Sequence, residues 1–171
     1  DVCSSDLGPK LVLAHCIHLS NAEKRILADT STRVSHCPSS NLKLASGVCA
    51  VPELRSLGIS VSLGADGAPC NNNLNMFQEM RLASLLQKPT HGPTSMPARE
   101  VFEMATMEGA KALGIEKDVG SLEVGKKADF VALNLLDSSV AWEPNEREPQ
   151  NAYSAIVYAA SPQCEIGRAH V

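Results

Sequence analysis

Apolar positions along the chain come in short runs separated by stretches of helical spacing. Lys10 to Ala14 (KLVLA) is a compact apolar run, predicted as a buried strand that ends at His15. Ser20-Asn-Ala-Glu23 then has the spacing of a capping box, in which hydroxyl and carboxylate satisfy the first free amides of a helix. Ile26 and Leu27 supply that helix with its apolar face. Arg33-Val-Ser-His36 reads as a second strand, followed by a turn over Pro38-Ser-Ser-Asn41. Val51 to Leu57 is predicted helical, closed by Gly58. Ile59 to Leu63 (ISVSL) is a third strand, broken by Gly64-Ala-Asp66-Gly67. The strongest helical pattern runs from Asn75 to Lys88, with Met76, Phe77, Met80, Ala83, Leu85 and Leu86 on its apolar side. A further helix begins at Pro97 and continues by another turn to Leu113 and Gly114.

Strand and helix alternating three times predicts an α/β fold with a parallel sheet and crossover helices. From Val119 the pattern changes. Gly120 to Asp129 is turn chemistry, Phe130 to Leu135 (FVALNL) reads as a strand, and a small second module is expected to start here.

Composition narrows the function classes. The chain has 171 residues, 44% hydrophobic and 20% charged, with a formal net charge of -4. It is long enough for one domain with a sizeable core and too apolar to be disordered. The acidic balance, with no Lys/Arg cluster, argues against nucleic acid as a partner. No apolar run reaches the roughly 18 residues of a membrane span, and no signal peptide is expected. Six cysteines are scattered without a CxxC pair, which predicts small buried thiols in a reducing cytoplasm.

The two ends stand apart from this pattern. The first seven residues (DVCSSDL) and the last seven (EIGRAHV) can be encoded by DNA strings that are reverse complements of each other. Those strings resemble a sequencing-library adapter. Residues 1–7 and 165–171 are therefore expected to be adapter-derived and to lie outside the fold, leaving an internal piece of a longer chain.

The candidate chemistry sits at strand ends. His15, His36 and Asp66 each follow or close an apolar strand in three consecutive units. In parallel barrels such ends open onto one face, where catalytic groups gather. Two imidazoles and a carboxylate suit zinc or iron, or proton movement about a metal-bound water. A single histidine at a strand end is equally a hydrogen-bonded structural residue; three in register favour a site.

The wording of the motifs goes further. Leu13-Ala-His15-Cys-Ile-His18-Leu, Val34-Ser-His36-Cys-Pro-Ser-Ser-Asn41-Leu-Lys-Leu44 and Leu63-Gly-Ala-Asp66-Gly-Ala resemble the amidohydrolase superfamily. The branch they resemble is that of aminohydrolases and chlorohydrolases, as do Phe77 to Lys88, Ala105 to Gly114 and Gly120 to Phe130. The resemblance spans nearly all of residues 10–162. It implies a (β/α)8 metal-dependent hydrolase barrel joined to a small β-sandwich. Residues 8–118 would then be the last three barrel units, and residues 119–164 part of the sandwich module with a linking helix over 151–160.

Carried over by position, the resemblance makes Asp66 a metal ligand that takes a proton from the hydrolytic water. His15 lies beside that water at the metal site and stabilises developing charge. His36 belongs behind these groups or near the leaving group. His18 and His91 are expected at the rim or surface, Asn41 as a loop cap, and Glu79 and Arg81 in exposed ion pairs. The implied cofactor is a divalent metal, zinc or iron. The implied reaction is hydrolytic deamination of an amino-purine or amino-triazine. A cyclic-amide hydrolase of the dihydroorotase type is the alternative within enzymes, and a non-catalytic scaffold the alternative outside them; a homo-oligomer stays open. No H-x-H pair occurs in the chain. The piece by itself is therefore expected to bind no metal tightly and to be inactive.

Overall fold

β1 (Val12–Ala14), β2 (Arg33–His36) and β3 (Val61–Leu63) lie side by side in that order, all parallel, in the computed structural model of the chain. The structure describes residues 6–136, 140 and 150–169. Val34 stands between Leu13 and Val61, and His36 lies beside Leu63. Three strands are too few to close a barrel, and no sheet closes among the described residues.

Local chemistry sets the helices. α1 (Asn21–Asp29) starts at the predicted capping box: the Glu23 amide donates to Ser20 Oγ at 3.3 Å, and the Ser20 amide donates to Glu23 Oε2 at 2.7 Å. Of its expected apolar pair, Leu27 is buried while Ile26 remains exposed. α2 (Pro38–Lys43) replaces the expected turn. Pro38 occupies its first turn, where the fixed φ favours a helix and the missing N–H costs nothing. α3 (Val51–Ser56) ends before Gly58, whose φ of +80° suits glycine. A short α4 (Ala68–Asn71) follows β3.

α5 (Met76–Leu85) is capped by Asn75, whose side-chain oxygen accepts from the Phe77 amide at 3.0 Å. It stops short of Lys88 because Pro89 cannot continue the ladder, and a separate turn, α6 (Lys88–His91), carries His91. Pro97 caps α7 (Ala98–Ala105) rather than lying within it. α8 (Met107–Leu113) closes at left-handed Gly114. β4 (Phe130–Leu133), α9 (Gln150–Tyr158) and β5 (Glu165–Ala169) complete the described chain. β4 and β5 pair antiparallel. Residues 165–169, expected outside the fold, thus form a strand, because an exposed strand edge offers main-chain partners to any extended segment. Residues 1–5 and 170–171, parts of the same two end segments, lie outside the described residues.

The main core joins Val34 and Val61 of the sheet to Val51, Leu54, Val101 and Met104 of the helices. Each such side chain contributes roughly 1.5–3 kcal/mol by leaving water. α9 seals this layer: Val157 is buried, Tyr153 meets Phe102 edge to face at 5.2 Å, and Tyr158 Oη shares a 2.7 Å hydrogen bond with Ser84 Oγ. Cys37, Cys49 and Cys164 are buried and Cys16 and Cys70 half-buried, all as free thiols. No described helix is long and apolar enough to cross a membrane.

Candidate active site

The carboxyl end of β2 organises the neighbouring loops. Its ladder runs one residue past the strands on each side: the His15 amide donates to Ser35 O and the Gly64 amide to His36 O, both at 2.9 Å. A Cβ at Gly64 would come within 2.6 Å of Ser35 Oγ and 3.1 Å of Cys37 Sγ, so a larger residue would have to displace those side chains. His15 and Asp66 are thereby delivered to the same end of the sheet. Both have left-handed backbone, with φ of 69° and 61°, and Cys16 follows at 47°. Such conformations cost about 1–3 kcal/mol each in non-glycine residues and cluster where a side chain must be aimed.

The geometry between them is specific. His15 Nε2 lies 3.8 Å from Asp66 Oδ2. His15 Nδ1 is 2.7 Å from Asn41 Oδ1. An amide oxygen only accepts, so Nδ1 carries the proton and Nε2 of the neutral ring keeps its lone pair. Asp66 Oδ2 accepts from Ser40 Oγ at 2.5 Å, and Oδ1 accepts from the Gly67 amide at 2.7 Å. The Ser40 hydroxyl first, then the Gly67 amide, hold the Asp66 carboxyl below the usual carboxylate range. Ser40 and Asn41 are successive residues on α2, so one buried turn after β2 orients both groups.

His36 is fully buried at the end of β2, and both its ring nitrogens lack a hydrogen-bond partner. Burial first, and the neighbouring His15 second, push its pKa down to about 4, so it is neutral at pH 7. Asn41 Nδ2 is buried and unpartnered as well. The three strand ends predicted from sequence therefore come together around α2. His18 points elsewhere, its Nε2 meeting Ser46 O at 2.9 Å.

Two expectations are corrected. Asn41 is a partner of His15 rather than a simple loop cap, and Ser40 beside it was passed over although it stands in the same motif. Glu79 is fully buried, not in an exposed ion pair: it accepts from the Ser39 amide at 3.0 Å and from Asn71 Nδ2 at 2.8 Å. Arg81 is exposed on the same helix.

Asp66 and His15 would supply two donors to a divalent metal bound at this end of the sheet. Asp66 Oδ2 and His15 Nε2 each have a free lone pair and stand 3.8 Å apart, so both could serve the same ion. No group of three or more His, Cys, Asp and Glu side chains suited to a metal occurs among the described residues. Catalytic zinc usually needs three protein ligands, so these donors fit as a half-site.

The chain is 51% identical over 156 residues to a 5'-deoxyadenosine deaminase from Methanothermobacter thermautotrophicus, covering 91% of this chain and 35% of that protein. It is 46% identical over 151 residues to a 5-methylthioadenosine/S-adenosylhomocysteine deaminase from Moorella thermoacetica, covering 88% and 34%. A zinc-bound adenosine deaminase from Xanthomonas campestris superposes with a TM-score of 0.88 at 34% identity, over 96% of this chain and 36% of that one. The chain thus spans about a third of the length of these relatives. The sequence model of the amidohydrolase family matches residues 1–166, and the chain belongs to that family.

Proposed function

We propose that the chain is the C-terminal barrel portion of a metal-dependent deaminase acting on an amino-purine nucleoside. Residues 8–118 form the last three βα units of its (β/α)8 barrel and residues 119–164 part of a β-sandwich module. Residues 1–7 and 165–171 derive from adapter DNA. The observation that carries the reading is the pair of Asp66 and His15, brought together from two strand ends and aimed by adjacent residues of α2. The relatives named as deaminases of 5'-deoxyadenosine and 5-methylthioadenosine support the substrate class.

A divalent ion, zinc or iron, would polarise the attacking water and lower its pKa when bound. Asp66 would be one of the residues that hold the ion. Being ionised at pH 7, it also accepts the proton of the attacking water and returns it to the departing ammonia. His15, its Nδ1 proton held by Asn41, keeps an Nε2 lone pair that would ligate the ion or accept a hydrogen bond from the attacking water. His36 lies buried behind them as a neutral ring. The remaining ligands belong to upstream strands of the parent protein. Free thiols fit a reducing cytoplasm: burial pushes Cys16 up to about 11 and Cys49 up to about 12, so both stay protonated.

The test begins with the parent gene. Its upstream frame is expected to encode an H-x-H pair. The purified full-length protein, loaded with zinc, is expected to convert 5'-deoxyadenosine or 5'-methylthioadenosine to the inosine form with release of ammonia. Asp66→Asn should lower kcat by roughly a thousandfold or more. A full-length protein that hydrolyses no amino-purine would overturn the reading. The 171-residue chain with added zinc is expected to show no turnover.

A further inference from the structure

Glu79 stands out among the buried groups that the reaction does not use. It is a carboxylate on α5 with no exposed surface, and no cation pairs with it among the described residues. Burying such a group for packing alone is unfavourable, since an apolar side chain would fill the space without desolvating a charge. Its two oxygens are used separately. Oε2 accepts from the Ser39 amide, and Oε1 accepts from Asn71 Nδ2. The second hydrogen of that Asn71 amide goes to Ala65 O at 2.7 Å.

These two ties end beside the site. Ser39 directly precedes Ser40, whose hydroxyl meets Asp66 Oδ2, and Ala65 directly precedes Asp66. One carboxylate therefore clamps the start of α2 to the loop after β3, the two segments that must be in register for the Ser40–Asp66 bond. Asp66 has left-handed backbone and stands exposed at the tip of its loop, so its own packing does little to hold it. We infer that Glu79 is a positioning residue that fixes Asp66 against Ser40 by bridging Ser39 and Asn71.

The chemistry of the bridge separates this role from packing. Glu79→Gln keeps the shape, but an amide carries one acceptor, so its nitrogen must face either the Ser39 N–H or the Asn71 donor. One tie is lost without a cavity. Ser84→Ala is the control: it is a buried hydroxyl on the same helix, bonded to Met96 O and Tyr158 Oη and to no residue of the site.

The structural arm uses the 171-residue chain. Amide exchange at Ser39 and Gly67 should accelerate roughly tenfold in Glu79→Gln, with Val34 and Val61 unchanged, and neither effect should appear in Ser84→Ala. The kinetic arm uses the full-length zinc protein and rests on the deaminase reading above. There Glu79→Gln should lower kcat per bound zinc about ten- to a hundredfold with KM within about twofold, as a small misplacement of a reacting group does. Should Glu79→Gln not fold, Asn71→Ala removes the other end of the clamp and must reproduce the faster exchange at Gly67 and the loss of kcat. Unchanged exchange at Gly67, unchanged kcat, or equal losses in Ser84→Ala would each overturn the inference. An inactive wild-type protein defeats the deaminase reading instead, and the exchange arm then decides alone.

Discussion

The parallel β1–β2–β3 layer and the antiparallel β4–β5 pair contain similar residue types, yet they differ in what the chain supplies to them. All three residues of β3 are buried, and β2 buries Val34 and His36 under helices of the same chain. β4 leaves Phe130 at 45% and Val131 at 51% exposure, and Ile166 of β5 at 72%. Among the described residues its nearby cluster is Val140, Ala155 and Cys164 with a few half-buried neighbours. The first layer has its covering helices within these residues, whereas the second presents an apolar strand with little laid across it. A strand pattern predicts a strand in both cases; burial depends on what lies opposite.

Truncation should expose that difference most strongly. Leu54→Ala removes a side chain that is 1% exposed in the main core and should cost roughly 3–5 kcal/mol. Val131→Ala, on the uncovered strand, should stay within about 0.5 kcal/mol. Urea unfolding followed by circular dichroism measures both. Similar losses from the two variants would mean that β4 is packed as firmly as the parallel sheet.

Acid probes the same contrast through His36. Its pKa is about 4 folded and 6.5 unfolded, because burial disfavours the imidazolium. The folded-state value is depressed, so its contribution is complete above pH 6.5 and is lost as pH falls toward 4. The loss amounts to about 3 kcal/mol once both states are protonated. His36→Phe should flatten this part of the pH dependence, read as urea midpoints between neutral pH and pH 4. A wild-type profile no steeper than that of the variant would show that His36 already charges freely in the folded protein.

A smaller, local effect belongs to α1. Ser20→Ala removes half of the capping box and should cost about 1 kcal/mol, seen as a shift of the urea midpoint without a change in slope. A shift of the size given by Leu54→Ala would mean that Ser20 supports the core and not only the first turn.

How much was legible follows from the range of each interaction. The capping box spans three residues, and the strand ends at His15, His36 and Asp66 are marked by where apolar runs stop, so local reading finds them. The partners that aim these groups are distant: Asn41 lies 26 residues from His15, and Ser40 26 from Asp66. The stretch after Cys37 reads as a turn from its Pro, Ser and Asn content, although Pro38 suits a helix start equally well. Glu79 is hidden from the sequence for a related reason. It lies among Met76, Met80 and Ala83, and helical spacing places it near the apolar face without telling a solvated carboxylate from a buried one. Its donors, the Ser39 amide and the Asn71 side chain, appear only once α2, α4 and α5 are packed together.

The smallest effect tests the end of the chain. β5 pairs with β4 through Phe130–Ala169 to Ala132–Gly167, and the register slips between Ala132 and Leu133. A two-stranded ribbon of this kind is marginal unless something packs across it, and two of the four residues of β4 and three of the five of β5 are exposed. Deleting residues 165–171 keeps Cys164, whose carbonyl accepts from the Asn134 amide at 2.7 Å, and keeps Val157 and Tyr158 of α9 on the main core. The urea midpoint of the parallel layer should therefore move by less than the equivalent of about 0.5 kcal/mol. Amide exchange should quicken at Val131 while that at Val34 stays the same. Such a result fits adapter-derived residues that borrowed an open strand edge. A loss above about 1 kcal/mol, with exchange accelerated at Val34, would instead make residues 165–169 a structural part of the protein and end the adapter reading of that strand.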